Sequence, residues 1–418
     1  MDIYHLKYNL NFTSRIQYLF YTLAFGYPMV ALCCVLLGLE SYWISATFRM
    51  IYLLLGLVII FVNVAIMNKS IPKNREIIIL FIFFGFAILR LMWDFLGASF
   101  FFGQALVQNI IWFLIVIIIP CAGFTASTDD LDGIILYKFM FYFIFITVLG
   151  WLFWGLFLDP RETFGLGRFG SPSLDPISMG HIGASLSLLS IYYIYGQSNL
   201  DGILKISGFL SGLILLFSSL SAGPFLAFVF TILSYILIKY SRGFTSILRI
   251  ILFSGVVVIL VFIIISVLEL NYKFPMISLF VDKSTLDNQS TGARVELIKE
   301  ALRIFIENPM LGGASSIPTL SGYPHNTIIE SLMATGLVGT FLLVYVITLG
   351  GIKSAMLLRY NKNWGWLGLI FFQYWIASMF SGSIYASSGI EFYVLVAVFS
   401  IKTPRAKLVV TNAFTSEQ

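Results

Sequence analysis

The sequence predicts an all-α, polytopic membrane protein, and two observations carry this prediction. Of the 418 residues, 59% are hydrophobic and only 11% are charged, and the mean hydropathy is +0.94. This composition excludes a water-soluble globular fold, in which about a quarter of the residues are charged. Apolar runs of roughly 20 residues, the length that crosses a hydrocarbon core of about 30 Å, also recur along the chain. We therefore expect one transmembrane domain over residues 1–418.

About twelve apolar runs are long enough to be membrane spans. They lie near residues 17–38, 48–68, 77–95, 103–124, 135–158, 177–196, 205–220, 222–240, 248–268, 326–349, 364–381 and 385–401. Short polar segments separate most of them, and one long polar insertion occupies residues 269–325. The predicted architecture is therefore about twelve transmembrane helices with one long extramembrane loop.

The positive residues predict the orientation of these spans, because Lys and Arg near span ends stay on the cytoplasmic side. Four clusters follow this pattern: Lys69, Lys73 and Arg75; Lys239, Arg242 and Arg249; Lys353, Arg359 and Lys362; and Lys402, Arg405 and Lys407. With twelve spans and both termini inside, all four clusters are cytoplasmic and the insertion at 269–325 faces the periplasm. The net charge of +5 follows from this bias and does not indicate nucleic-acid binding.

The chain carries no sequence signature of nucleotide-driven or metal-dependent chemistry. It has no Walker sequence, no Rossmann glycine pattern and no HExxH helix. Cys33, Cys34 and Cys121 lie inside predicted spans without metal-like spacing, so we expect them to pack rather than to bind. We expect neither a metal nor another cofactor.

The long insertion contains a predicted amphipathic helix at residues 292–308, which Ser290 or Thr291 can cap and Pro309 ends. At 100° per residue, one sector holds Arg294, Ile298, Ala301, Leu302 and Phe305, and the opposite sector holds Glu296, Lys299, Glu300, Arg303 and Glu307. Arg294 is thus predicted on the apolar face, where an arginine needs an anionic partner. That partner is either a buried carboxylate or a phosphate, whose oxygens match the guanidinium fork.

His325 lies directly before the span that follows the insertion. Thr327 and Glu330 match a Thr-x-x-Glu capping box, which gives both a structural role at the start of that helix. The positive end of the helix dipole disfavours a second positive charge, so we expect the His325 imidazole to be neutral near pH 7 and able to act as a base. The alternative is an ordinary polar residue at the membrane surface.

Two further ionisable residues lie within predicted spans. Arg90 has Asp94 one helical turn away, so a membrane-embedded ion pair explains it, although ionisable residues in the membrane are also functional candidates. His181 lies about one turn inside the span at 177–196, and we expect it to pack or to form a hydrogen bond.

Several motifs follow one another in an order that resembles the carboxy-terminal signature of the O-antigen polymerase and O-antigen ligase superfamily. They are Gly292-Ala293-Arg294, Asn308-Pro309 with Gly312 and Gly313, Pro324-His325-Asn326, and a span that contains Gly336 and Gly339. The stretch from Gly167 to Pro172, with Asp175-Pro176 opening a span, is similar to the mid-chain loop of that family. The resemblance covers about residues 160–350.

The resemblance implies an inner-membrane glycosyltransferase of the C-type membrane fold that takes glycans from undecaprenyl diphosphate on the periplasmic side. An acceptor sugar hydroxyl would attack the anomeric carbon of the donor with inversion, without a metal, and the lipid diphosphate would leave. His325 matches the motif histidine and would activate that hydroxyl. Arg294 matches the motif arginine and would hold the diphosphate.

The sequence departs from the family at one position. Many members carry an arginine near the outer end of a central span, but the corresponding stretch here, residues 217–224, contains none. A second cation for the diphosphate would have to come from elsewhere, and Arg168 in the preceding loop and Arg90 are the candidates.

Three functions are compatible with these features. A polymerase joins lipid-linked repeat units to one another, a ligase moves the finished glycan onto lipid A–core, and a transporter moves a lipid-linked sugar without making a bond. The missing span arginine favours the polymerase over the ligase. The transporter is disfavoured because paired Gly/Pro-broken spans in corresponding halves are not visible. The expected partners are lipid-linked donor and acceptor oligosaccharides, membrane lipids, a chain-length regulator and a flippase, and no nucleic acid.

Overall fold

The computed structural model describes residues 12–39, 41–66, 74–97, 107–127, 131–157, 169–171, 173–195, 202–240, 289–317, 322–385 and 388–401. This part of the chain is built from helices, which we number in chain order. They are α1 (Phe12–Leu23), α2 (Tyr27–Leu36), α3 (Ser41–Phe61), α4 (Arg75–Gly97), α5 (Val107–Ala126), α6 (Gly133–Phe157), α7 (Pro176–Tyr195), α8 (Gly202–Ser218), α9 (Ala222–Tyr240), α10 (Gln289–Glu307), α11 (Thr327–Tyr360), α12 (Gly365–Ser381) and α13 (Ile390–Ser400).

Six of the described helices are long and apolar enough to cross a membrane, namely α3, α4, α5, α6, α9 and α11. The pair α1 and α2 would form a seventh span. The helices α8 and α13 are apolar but shorter. The predicted span at 248–268 lies outside the described residues, and so does the part of the insertion that precedes residue 289. The described chain therefore has the all-helical character expected of a multi-pass membrane protein, whereas the count of about twelve spans stays a prediction.

The apolar run at 17–38 forms two helices rather than one. The axes of α1 and α2 differ by 69° at a break that contains Gly26. Pro28 lies in the first turn of α2 and has no backbone N–H to continue the hydrogen-bond ladder of α1. Its carbonyl accepts a hydrogen bond from Trp151 of α6 (2.9 Å), and the Tyr27 hydroxyl donates to the Ser173 carbonyl (2.9 Å). The break thus turns Tyr27 toward the start of α7.

The helix α10 confirms the amphipathic helix predicted at 292–308, with its start at Gln289. Ala301 and Ile304 are buried and form a cluster with Ile317 and Met333 of the following segment. Leu302, which the helical wheel assigned to the apolar sector, is exposed instead. The reason is that α10 packs on α11 through a stripe centred on Ala301, which leaves Leu302 at the edge.

A connector, residues 308–317, docks onto α11 at a break in that helix. Gly336 has φ +62° and ψ −161°, which interrupts the helical ladder. The Leu337 amide then donates to the Pro309 carbonyl (2.8 Å), and the Gly313 amide donates to the Met333 carbonyl (2.8 Å). A Cβ at Gly336 would lie 2.4 Å from the Met310 carbonyl, so this close approach of two backbones requires glycine.

Candidate functional site

The start of α11 is capped by Asn326, which corrects the prediction of a Thr327–Glu330 capping box. The Asn326 side-chain oxygen accepts hydrogen bonds from the amides of Ile328 and Ile329, both 3.0 Å away. The helix therefore begins one residue earlier than the box requires. Thr327 donates to the Ser378 carbonyl (3.3 Å) instead.

Glu330 consequently lies one position too far into the helix to reach back to its cap. Its buried carboxylate accepts hydrogen bonds from the Ser383 hydroxyl (2.9 Å) and the Ile384 amide (2.6 Å). These two bonds tie the first turn of α11 to the segment between α12 and α13. Glu330 therefore has the structural role that the sequence predicted, through different partners.

His325 is held in an unusual backbone conformation just before this cap. Its φ is +54°, a left-handed value that non-glycine residues adopt rarely and that is enriched at functional sites. The ring lies 4.3 Å from that of Tyr323, and Asn326 anchors the segment to α12 through its bond to the Met379 carbonyl (2.9 Å). Partial burial lowers the pKa of His325, and the positive charge of Arg294 lowers it further. Both effects favour the neutral imidazole.

His325 lines a cavity of about 410 Å³, which we call the His325 cleft. Polar residues from three regions of the chain line it: Asp175, Ser178 and His181; Tyr323 and His325; and Tyr374, Ser378, Ser381, Ser388 and Glu391. The volume is within the roughly 300–1,000 Å³ typical of small-molecule sites. The hydroxyl, imidazole and carboxylate groups among these polar residues can exchange hydrogen bonds with several hydroxyl groups of a bound ligand.

Asp175 reaches the cleft from the start of α7. Its carboxylate accepts hydrogen bonds from the amides of Ile177 (2.8 Å) and Ser178 (3.0 Å), so it caps the helix that Pro176 begins. The sequence had singled out Asp175-Pro176 as the opening of a span, and the observed helix begins there. Asp175 thereby fixes the start of α7, the helix that brings Ser178 and His181 to the cleft.

His181 lies on the wall of the cleft, whereas the sequence indicated a packing or hydrogen-bonded role. Its ring centroid is 5.9 Å from that of Tyr374 in α12. Its Nδ1 atom is buried and makes no hydrogen bond within the described part of the chain. The spacing of residues within α7 could not indicate this position, because the approach of α12 creates it.

Arg294 lies beside His325 and forms no ion pair with any described carboxylate. Its guanidinium donates a hydrogen bond to the Phe380 carbonyl (3.2 Å), near the end of α12. Arg303, on the same helix, behaves differently because it pairs with Glu300 and Glu307. The buried-carboxylate explanation for Arg294 therefore finds no support among the described residues.

Arg90 forms an ion pair with Asp94, which is one of the two alternatives that the sequence predicted. Both residues of this pair also form hydrogen bonds with the connector. The guanidinium binds Asp94 and donates to the carbonyls of Gly312 (3.2 Å) and Gly313. The Asp94 carboxylate accepts a hydrogen bond from the Ser315 amide (2.6 Å). A phosphate-binding role for Arg90 stays a prediction, and Arg168 lies outside the described residues.

Arg49 on α3 is a polar residue that the sequence reasoning missed. It lines a smaller cavity of about 120 Å³, the Arg49 chamber, together with Tyr27, Phe48, Tyr52 and Tyr393. The chamber shares four wall residues with the His325 cleft: Ser178, His181, Tyr374 and Ser388. The sequence could have identified Arg49 as a functional candidate, because it is an ionisable residue inside the predicted span at 48–68.

Together these features define a polytopic membrane protein with a histidine-lined polar cleft and nearby arginines at one end of its helices. A family model described as O-antigen ligase matches residues 207–344, roughly a third of the chain. The match supports assignment to the O-antigen polymerase and ligase superfamily, and it includes both Arg294 and His325. No curated protein matches the chain.

Proposed function

We propose that the protein is an O-antigen polymerase, which joins undecaprenyl-diphosphate-linked oligosaccharide repeat units on the periplasmic face of the bacterial inner membrane. The family match supports the broader class, polymerase or ligase. The observation that supports the site most directly is the position of His325, whose pKa burial lowers, in a cleft of about 410 Å³ beside an arginine without a described carboxylate partner.

In the proposed reaction, the His325 imidazole accepts the proton of an acceptor sugar hydroxyl. The hydroxyl oxygen attacks the anomeric carbon of the donor while the bond from that carbon to the diphosphate oxygen breaks. The leaving diphosphate takes the bonding electron pair, and the configuration at the anomeric carbon inverts. A general base in this position contributes about 10²- to 10⁴-fold to the rate.

Arg294 is proposed to bind the leaving diphosphate. The guanidinium makes only one described hydrogen bond, to a backbone carbonyl, so its other N–H groups are available to phosphate oxygens. A cation at this place stabilises the negative charge that develops on the leaving group. Burial lowers the pKa of His325, and the charge of Arg294 lowers it further, so the same arginine also favours the base form of the imidazole.

A ligase, which transfers the finished glycan to lipid A–core, is the second candidate, because the matching family model is described as an O-antigen ligase. Its site chemistry would be the same, and only the acceptor differs. The arginine-free stretch at 217–224 is the feature that favours the polymerase.

Lipopolysaccharide from a deletion strain tests the proposal. Loss of a polymerase leaves a single repeat unit on the lipid A–core, whereas loss of a ligase leaves none. Wild-type protein should restore long chains, and His325→Ala at equal membrane abundance should not. Long chains made by His325→Ala would remove His325 from the mechanism, and an unchanged deletion strain would contradict both functions.

A further inference from the structure

The Arg49 chamber contains a cation without an anionic partner among the described residues. The Arg49 guanidinium lies over the ring of Trp112 (3.7 Å) and near that of Tyr27 (5.3 Å). These two aromatic contacts hold the guanidinium in place beside the chamber. They do not neutralise its charge, and an unpaired charge is unfavourable in a low-dielectric interior.

Two further polar groups in the same chamber are unsatisfied. The Tyr52 hydroxyl and His181 Nδ1 are buried, and neither makes a hydrogen bond within the described part of the chain. Both residues line the chamber with Arg49. Buried polar atoms in proteins are nearly always paired, so two unpaired groups beside the Arg49 guanidinium indicate a ligand that accepts hydrogen bonds from all three.

The size and position of the chamber restrict that ligand. Its volume of about 120 Å³ is well below the roughly 300–1,000 Å³ that accommodates larger organic ligands, so it suits a small charged group. It adjoins the His325 cleft, with which it shares Ser178, His181 and Tyr374 as wall residues, so its ligand can belong to the same molecule as a group bound in that cleft. A phosphate group of a lipid-linked molecule meets both conditions.

We propose that Arg49, Tyr52 and His181 form a second phosphate subsite, which binds a diphosphate oxygen of a polyprenyl-linked substrate. Arg49 supplies the charge, and the Tyr52 hydroxyl and the Nδ1–H tautomer of His181 donate hydrogen bonds. The inference rests on the proposed function only in taking a lipid-linked diphosphate as the substrate. The headgroup of an ordinary phospholipid offers the same phosphate chemistry and is the competing source.

Binding of geranylgeranyl diphosphate to the purified full chain in detergent tests the subsite. Arg49→Gln should raise the Kd about tenfold or more, the loss expected for a charge-assisted hydrogen bond. Arg49→Lys keeps the charge without the fork and should bind with intermediate affinity. Tyr52→Phe should weaken binding several-fold. Arg359→Gln is the matched control, since Arg359 also lies over an aromatic ring and lines a different cavity, and it should leave the Kd within about twofold.

Competition identifies the source of the phosphate. Geranylgeraniol should not compete, and phosphatidylglycerol should compete weakly. Full competition by phosphatidylglycerol, or an unchanged Kd in both Arg49→Gln and Tyr52→Phe, overturns the proposal. If Arg49→Gln cannot be purified as a folded protein, the Kd values of Arg49→Lys and Tyr52→Phe test the proposal instead, and unchanged values in both overturn it. The assay needs no glycan transfer, so a ligase phenotype in the deletion strain would refute the polymerase and leave the subsite standing.

Discussion

At the scale of residues, the site is defined by the charge state of one histidine and the partners of two arginines. His325 is partly buried beside Arg294, and both influences favour the neutral imidazole that a general base requires. Arg294 and Arg303 belong to one helix, yet only Arg303 is engaged by carboxylates. Arg294 therefore keeps N–H groups for an anionic ligand, whereas Arg303 uses its N–H groups in ion pairs.

Replacing Arg294 should raise the pKa of His325. The positive charge of Arg294 disfavours the imidazolium, so Arg294→Gln removes one of the two causes that lower this pKa, while burial persists. The His325 titration should shift to higher pH. NMR of histidine-labelled protein between about pH 5 and pH 8 measures it without requiring activity. Arg303→Gln is the control, and an equal shift in both variants would show that Arg294 is not coupled to His325.

The two arginines of α10 should differ in function. Arg294→Lys loses the planar fork that binds two phosphate oxygens and should shorten or abolish glycan chains. Arg303→Ala should be nearly silent, because its ion pairs with Glu300 and Glu307 are exposed and solvent screens such pairs. Lipopolysaccharide gels of the two complemented strains give the comparison. The opposite result, with Arg303 essential, would place the diphosphate on the other face of α10.

At the scale of elements, the connector after α10 packs on the break in α11. Backbone hydrogen bonds at Pro309 and Gly313 join it to that break, and the Arg90–Asp94 pair holds it from α4. The amphipathic helix that carries Arg294 therefore has a fixed attachment to the helix that begins beside His325. The glycines shared with the family signature make this close approach sterically feasible.

Gly336→Ala should destabilise the protein by about 1–3 kcal/mol. An added Cβ would lie 2.4 Å from the Met310 carbonyl, and the φ of +62° is unfavourable for alanine. Gly85→Ala on α4 is the matched control, since a Cβ there meets nothing within 4 Å. Thermal unfolding in detergent should show a lower Tm for Gly336→Ala alone. Equal Tm values would mean that the connector does not depend on this contact.

At the scale of the whole molecule, six or seven of the described helical segments can cross a membrane. The His325 cleft lies where α7 and α11 begin and α12 ends, so these ends belong to one side of the helix assembly. The distribution of Lys and Arg predicts that this side is periplasmic. The proposed reaction requires this orientation, because its lipid-linked substrates are periplasmic.

Cysteine labelling should place α10 and the segment between α11 and α12 on opposite sides of the membrane. In a background without Cys33, Cys34 and Cys121, an impermeant thiol reagent should label Lys299→Cys in intact spheroplasts. It should label Asn363→Cys only after the membrane is permeabilised. Both positions are exposed to solvent. The reverse pattern would invert the predicted topology and place the cleft in the cytoplasm.

The amino-acid sequence by itself determined the helical membrane class and the amphipathic helix, and it offered the pairing of Arg90 with Asp94 as one of two alternatives. Each depends on local quantities: the length of apolar runs, the helical period and a four-residue spacing. Only the tertiary structure decided that Glu330 bonds to Ser383, and that Arg49 and His181 adjoin the His325 cleft. Those contacts join residues far apart in the chain, and they depend on how α3, α7, α11 and α12 pack, which no local pattern encodes.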